Sequence, residues 1–499
     1  MTGFERMRRR WWIRGSDVRP LPGGLVTPAC LKRDGDLMSP TKVARRTLLL
    51  GSTAAAAAGS ESLARLLASA DALVVRRPPT ERPNVIVISF DDLAWNGFGC
   101  YGNEFYETPH IDRLASEGMR FTQAYAAAPV CSPTRAALMT GLFPARTGIT
   151  HRLQREEEPG NLYLKPRFRT VPELVAERGY RSVLIGKWHL TEDYSGPYRR
   201  RPGNPYVHGF DDVLLSEERY ISRGDMFFPY RFMPIVQRGE PGEYLTDRIG
   251  RDAARWISRQ ADSPFFMHVS NYAVHSPWEA PAALIEKYRR KKQLNPQFAT
   301  NNYVPELAAM VERCDRQVER IVTAVSDAGI AGNTLILITS DNGGGRATNR
   351  PLRGAKGSLY EGGIRVPLLA FWPGTVPAGT TSDAVVSTVD MLPTIQHLAG
   401  GGEVNGLDGL SLAGVLTEQD DLTRDTYWYF PHSFGGSVPS AAVRSGRHKL
   451  IKQLSTRSLE LYDIVDDPGE RNNVVESNPT VAAALHSMLR DHVQDMRSA

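Results

Sequence analysis

The sequence predicts an α/β domain on a largely parallel sheet, followed by a small antiparallel sheet and a terminal helix. Three observations carry this. Short apolar, β-branched runs alternate with helical patterns from residue 84 to residue 371, the pattern of a sheet wrapped by helices. Two of the runs end in the pairs Asp91-Asp92 and Asp341-Asn342, and such sheets bind ligands beyond the carboxyl ends of their strands. Beyond a polar stretch at 417–426 the pattern changes to closely spaced short strands.

Taken in order, Asn84-Val-Ile-Val-Ile-Ser-Phe90 is apolar without alternation, which suits a strand covered on both faces. Ser182–Ile185, Phe265–Ser270, Thr334–Ser340 and Pro367–Phe371 are further strands of this kind. Helical periodicity marks Ile111–Glu117, Val171–Arg178, Leu245–Arg259 and Leu307–Ala328. Ser132-Pro133 reads as an N-cap and first helical residue, and Gly141 as the residue that closes the helix. A short helix from about Pro133 to Thr140 follows, with Cys131 just outside its N-terminus, where free N–H groups favour an anion. Tyr427–Phe430, Ala441–Arg444, Lys449–Gln453 and Leu459–Asp463 form the small sheet, and Pro479–Arg497 the terminal helix. The expected division is a leader over 1–72, a main domain over 80–416 and a C-terminal subdomain over 425–499.

The leader has its own logic. Arg45-Arg46 stands directly before the small-sided apolar stretch Thr47–Ala58, and Ala68-Ser-Ala70 and Ala70-Asp-Ala72 offer cleavage sites. The arrangement resembles a bacterial twin-arginine signal, which implies export of a folded protein to the periplasm or medium. Residues 1–37 lie upstream of where such a signal starts, so Met38 is a second candidate initiator. Residues 1–50 hold 11 Lys and Arg against 4 Asp and Glu, whereas the rest hold 49 against 51. The net charge of +5 therefore belongs to the leader, and nothing in the bulk charge points to nucleic acid. No apolar run reaches the length of a membrane-spanning helix, so an integral membrane protein is not expected. Four Cys are too few for a disulfide scaffold.

Asp91, Asp92, Asp341 and Asn342 offer four oxygen ligands, three of them anionic, a set for Ca²⁺ or Mg²⁺ rather than a soft metal. There is no His-Glu-x-x-His and no Cys-x-x-Cys, so zinc has no obvious site.

Cys131-Ser-Pro-Thr-Arg135 is similar to the Cys-x-Pro-x-Arg signature of the formylglycine-dependent sulfatases, arylsulfatase-like members of the alkaline phosphatase superfamily. Gly186-Lys187-Trp188-His189, His275-Ser-Pro277 and Arg353-Gly-Ala-Lys356-Gly through Arg365-Val-Pro367 resemble that family's other active-site segments, and Leu461–Val474 its C-terminal signature. The likeness spans about 84 to 475 and shows no departure at an active-site position. It implies a mixed, mostly parallel sheet and conversion of Cys131 to formylglycine by a formylglycine-generating enzyme. The aldehyde hydrate would attack sulfur, and its second hydroxyl would then expel sulfate. It implies one divalent cation, Ca²⁺ ahead of Mg²⁺, on Asp91, Asp92, residue 131, Asp341 and Asn342. Arg135 and Lys187 would hold the formylglycine. His189 would take a proton on release, and His275 and Lys356 would assist departure of the alcohol.

Two alternatives stand beside this. One is a phosphodiester or phosphonate monoester hydrolase with the same aldehyde and metal; the other is a glycan-binding protein with unmodified Cys131. The substrate, a sulfated sugar or an aryl sulfate, depends on loops such as 195–207 and 221–243. Arg199-Arg200-Arg201 with Tyr198 and Tyr206 could grip a polyanionic glycan or be a solvated basic loop.

Overall fold

The computed structural model describes residues 82–498, apart from 155–161, 223, 235, 301 and 346–347. The leader, with Met38, Arg45-Arg46 and the cleavage sites, lies outside the described residues. Eight strands make the main sheet: β1 (Asn84–Phe90), β2 (Met119–Tyr125), β3 (Arg181–Gly186), β4 (Asp212–Leu214), β5 (Phe265–Ser270), β6 (Thr334–Ser340), β7 (Leu368–Phe371) and β8 (Thr380–Ser387). Their order is β4-β3-β5-β1-β6-β7-β2-β8, and only β7 runs against its neighbours. The sheet is mixed and mostly parallel, as expected.

Alternation along β1 sends Ile86, Ile88 and Phe90 into one core and Val85 and Val87 into the other. The first core is closed by helices Pro109–Ser116, Leu245–Gln260, Ala282–Leu294 and Pro305–Asp327. The second is closed by Cys131–Thr140, Val171–Ala176 and Met391–Leu398. Burial on both faces is why the central strands read as unbroken apolar runs. Strands β2, β4 and β8 are not among the predicted runs. Their residues are partly exposed and mix Thr, Gln, Asp and Ser with apolar residues, so no run forms.

One local expectation is corrected. The helix that follows Val130 begins at Cys131 itself, and Ser132 does not cap it. The Ser132 Oγ instead accepts from the Leu153 N–H at 3.0 Å, while the Thr134 hydroxyl donates to the Ala128 carbonyl at 2.9 Å. Pro133 fits the first turn because N–H groups there have no partner within the helix. Gly141 closes the helix at φ +68°, as expected.

The smaller sheet comprises β9 (Thr426–Phe430), β10 (Ser440–Ser445), β11 (His448–Gln453) and β12 (Leu459–Asp463), all antiparallel. One face packs on the helix Pro479–Ser498. The other shares a core with the main sheet, where Trp428, Phe430 and Ile451 meet Tyr125, Val130 and Ile364.

An ionic cluster pins that junction. Lys449 on β11 is fully buried and donates to Glu361 Oε1 and Glu470 Oε1, each at 2.9 Å. Burial pushes Glu470 up to about 7, whereas Lys449 and Arg365 hold Glu361 below its usual range against burial. Lys449→Met leaves buried Glu470 without a cation and Glu361 with only Arg365 and the Tyr125 hydroxyl, and should cost about 3–5 kcal/mol. The loss should be larger at pH 8 than at pH 5.5. A carboxyl raised in the folded state keeps a proton the unfolded chain has released, so stability falls as pH rises from about 4.5. Urea unfolding of both chains at the two pH values checks this; an equal loss at both removes the carboxylates as its cause.

Candidate active site

Strand register builds the site. Phe90 pairs with Ser340, and Ser270 pairs with both Ser89 and Gly186, so β1, β6, β5 and β3 end nearly level. The residues that follow, Asp91, Asp341 and Lys187, therefore emerge side by side in the middle of the sheet. Gly186 is essential to this row: at φ +109° a Cβ would lie 2.0 Å from the Ser270 carbonyl oxygen. That approach lets the Lys187 N–H reach the same oxygen at 2.7 Å and turns the lysine inward.

Asp91, Asp92, Cys131, Arg135, Lys187, His189, His275, Asp341, Asn342 and Lys356, the ten residues the sequence singles out, all gather here. One ligand atom each of Asp91, Cys131 and Asp341 lies within 4.8 Å of the others. Arg135 is buried and donates to Asp341 Oδ2 through Nε at 2.9 Å and Nη2 at 2.6 Å. Its Nη1 reaches Ser270 Oγ at 2.5 Å and the Lys187 carbonyl at 3.2 Å. Lys187 Nζ donates to Asp91 Oδ2, and Lys356 Nζ sits 2.7 Å from Asp92 Oδ1. Asn342 Nδ2 donates to Asp92 Oδ1 at 2.8 Å. His275 Nε2 lies 3.7 Å from Asp92 Oδ2, and this ring is about one-third exposed.

Charge and burial compete throughout. Burial would raise Asp91, but Lys187, His275 and Arg135 hold it well below the carboxylate range. Burial and the neighbouring Asp91 push Asp341 up to about 6 against the pull of Arg135. Burial pushes the Cys131 thiol up, so the unmodified residue is a protonated, weak nucleophile. Burial, with Lys187 and Arg135 nearby, keeps His189 well below its usual value and hence neutral. Neither of its ring nitrogens has a hydrogen-bond partner.

The donor set fits a hard cation. Three carboxylates converge, and Asp91 Oδ1 and Asn342 Oδ1 are buried without a hydrogen-bond partner. Buried oxygens left so are costly unless a cation takes them. The carboxylate and amide donors are all oxygen, with His275 and residue 131, a thiol as encoded, beside them.

Several supporting residues carry no sequence signal. Glu217 accepts the Trp188 N–H at 3.0 Å and the His189 N–H, which holds His189 at φ +51°. The Tyr272 hydroxyl donates to the same carboxylate at 2.9 Å. Ser270, which orients Arg135, has only one faint cue, a polar residue ending an apolar strand. Ser222 and Met226, from one of the loops expected to face substrate, line a small cavity with Asp91, Lys187 and His275. In the other loop, Arg199 leans on Tyr206 and Arg201 donates to the Gly196 carbonyl, so both are engaged within their own surface.

Residues 83–401 match the family model for sulfatases, and 355–499 that for the C-terminal part of N-sulphoglucosamine sulphohydrolase. Arylsulfatase A of Homo sapiens is 31% identical over 481 residues, covering 85% of this chain and 89% of that protein. N-acetylgalactosamine-6-sulfatase of Sus scrofa is 34% identical over 411 residues, covering 75% and 74%. Among solved structures, that of Ps i-CgsB superposes with a TM-score of 0.70 at 29% identity, covering 82% of this chain and 92% of that one. With its mixed sheet and its row of active-site segments, this chain belongs to the sulfatase family, the hydrolases of sulfuric esters.

Proposed function

We propose that the protein hydrolyses a sulfate monoester, on a sugar or an aryl group, with formylglycine at position 131 and one divalent cation, Ca²⁺ ahead of Mg²⁺. The observation that carries this is the convergence of residue 131, three carboxylates, Asn342 and two buried cationic side chains at one row of strand ends. The reading includes a formylglycine-generating enzyme as partner, a catalytic domain over 80–416 and a subdomain over 425–499.

Asp91, Asp92, Asp341, Asn342 and residue 131 would hold the cation. When bound, it supplies a fixed positive charge that polarises the ester and favours an ionised nucleophile. Formylglycine, once installed, supplies through its hydrate a nucleophilic oxygen and a second hydroxyl for release.

The chain's own residues do the rest. Arg135, clamped between Asp341 and Ser270, and Lys187, paired with Asp91, fix the surroundings of residue 131. Lys356, partly open to solvent, presents a cation to the sulfate oxygens. Neutral His189, whose ring nitrogens make no hydrogen bond and whose Nε2 lies 3.9 Å from Glu192 Oε1, can accept at its unprotonated nitrogen the proton lost in the release step. His275 Nδ1 donates to the Ser276 carbonyl at 2.5 Å, so the proton given to the departing alcohol would be carried on Nε2 of the imidazolium, 3.7 Å from Asp92 Oδ2.

The test is a mass spectrum of the tryptic peptide Phe121–Arg135 from active enzyme, run beside a screen of sulfate monoesters and phosphodiesters. We expect an aldehyde at 131 and preferred turnover of sulfate. A free thiol in fully active protein removes the mechanism, and preferred phosphodiester turnover transfers the site to the other hydrolase class.

A further inference from the structure

We infer that Arg152, backed by Phe434, forms a second anion-binding subsite at the mouth of the active site, selecting sulfated sugars with another negative group. This rests on the sulfatase reading and names its substrate class more closely.

Two loops from different sheets meet here. One, Thr150–Leu153, is tied to the start of the nucleophile helix by the Leu153 N–H, which donates to Ser132 Oγ at 3.0 Å. The other joins β9 to β10 and carries His432 and Phe434. They are joined by Thr150 Oγ1 and His432 Nε2 at 2.9 Å and by stacking of His151 on His432 at 4.6 Å. Phe434 also leans on the catalytic loop. At Gly357, with φ +91°, a Cβ would lie 2.5 Å from Phe434 Cδ1, so only glycine admits the ring. Lys356 Nζ is 5.9 Å from the centre of that ring, and the Arg152 guanidinium carbon is 5.2 Å from it. The two cations are thus at most about a disaccharide's length apart.

Arg152 is exposed and has no carboxylate partner among the described residues. Stacking on Phe434 holds its planar head, so less freedom is lost when it takes an anion through paired N–H groups. Burial keeps both imidazoles below their usual range, so at neutral pH they are uncharged and Arg152 supplies the positive charge here. A carboxylate and a second sulfate share the chemistry this subsite would take.

The experiment uses the full chain with bound cation, expressed without formylglycine installation so that no turnover occurs. Calorimetry measures binding of N-acetylgalactosamine 6-sulfate, the 4,6-disulfate, and the uronate-bearing disaccharide of chondroitin 6-sulfate. We expect at least one dianionic ligand to bind about tenfold more tightly than the monosulfate. Arg152→Ala should bring that ratio close to one, and Arg152→Lys should retain part of it. Whichever dianion gains more identifies the source of the second charge. Equal binding of all three, or a ratio unchanged in Arg152→Ala, overturns the subsite and leaves the sulfatase reading standing. Failure of all three to bind overturns the choice of acidic sugars, and sulfate monoester turnover by the modified enzyme then decides the broader reading.

Discussion

Cys131→Ala should fold normally and lose turnover by roughly a million-fold, the scale on which enzymes suffer from removal of a nucleophile. The fold should survive because a small buried residue at the first position of a helix is replaced by a smaller one with better helix propensity. Cys131→Ser retains an oxygen that can attack but lacks the second hydroxyl. At most one equivalent of alcohol per site should appear, with sulfate left on the protein. Pre-steady-state release of a chromogenic alcohol, with intact-protein mass, separates these outcomes. Sustained turnover by purified Cys131→Ala would refute residue 131 as the nucleophile.

The second large effect concerns the cation. A chelator of hard cations should empty the site and abolish activity, Ca²⁺ or Mg²⁺ should restore it, and Zn²⁺ should not. Asp341→Ala should lower metal occupancy and activity together. It also leaves Arg135 buried without its carboxylate, which should cost about 3–5 kcal/mol. Asp341→Asn also leaves Arg135 without a counter-charge but keeps the shape and one accepting oxygen, so it should cost less of the fold than Asp341→Ala while still weakening the cation. Elemental analysis beside thermal unfolding reads both. Stoichiometric zinc without a hard cation in active enzyme would refute the oxygen-site assignment.

Much of this site was legible because its chemistry sits in contiguous segments at the ends of fully buried strands. Such strands read as apolar runs, and Asp91-Asp92 and Asp341-Asn342 mark where the runs stop. Residues that support the site by reaching across the fold were not legible. Glu217 acts by accepting backbone N–H groups from a turn 28 and 29 positions earlier, and Phe434 by lying over Gly357. Neither stands in a pattern, since partners so chosen depend on tertiary approach. The same cause moved the helix start to Cys131: Ser132 has a distant partner in Leu153, which local capping preference does not foresee.

The sheet order sets a timetable for synthesis. Residues Cys131–Thr140 are buried throughout, so the folded protein offers residue 131 to no modifying enzyme. Yet β1 lies between β5 and β6, and β6 is not made until the ribosome has passed residue 340. At about 5–20 residues per second, roughly ten to forty seconds separate the emergence of Cys131 from that of Asp341. Throughout that interval the strand that completes the middle of the sheet is missing, and the nucleophile segment cannot yet be sealed in its final surroundings. Strand permutation thus acts as a delay line. On the function proposed above, this interval is when a formylglycine-generating enzyme would reach residue 131, before the finished site closes.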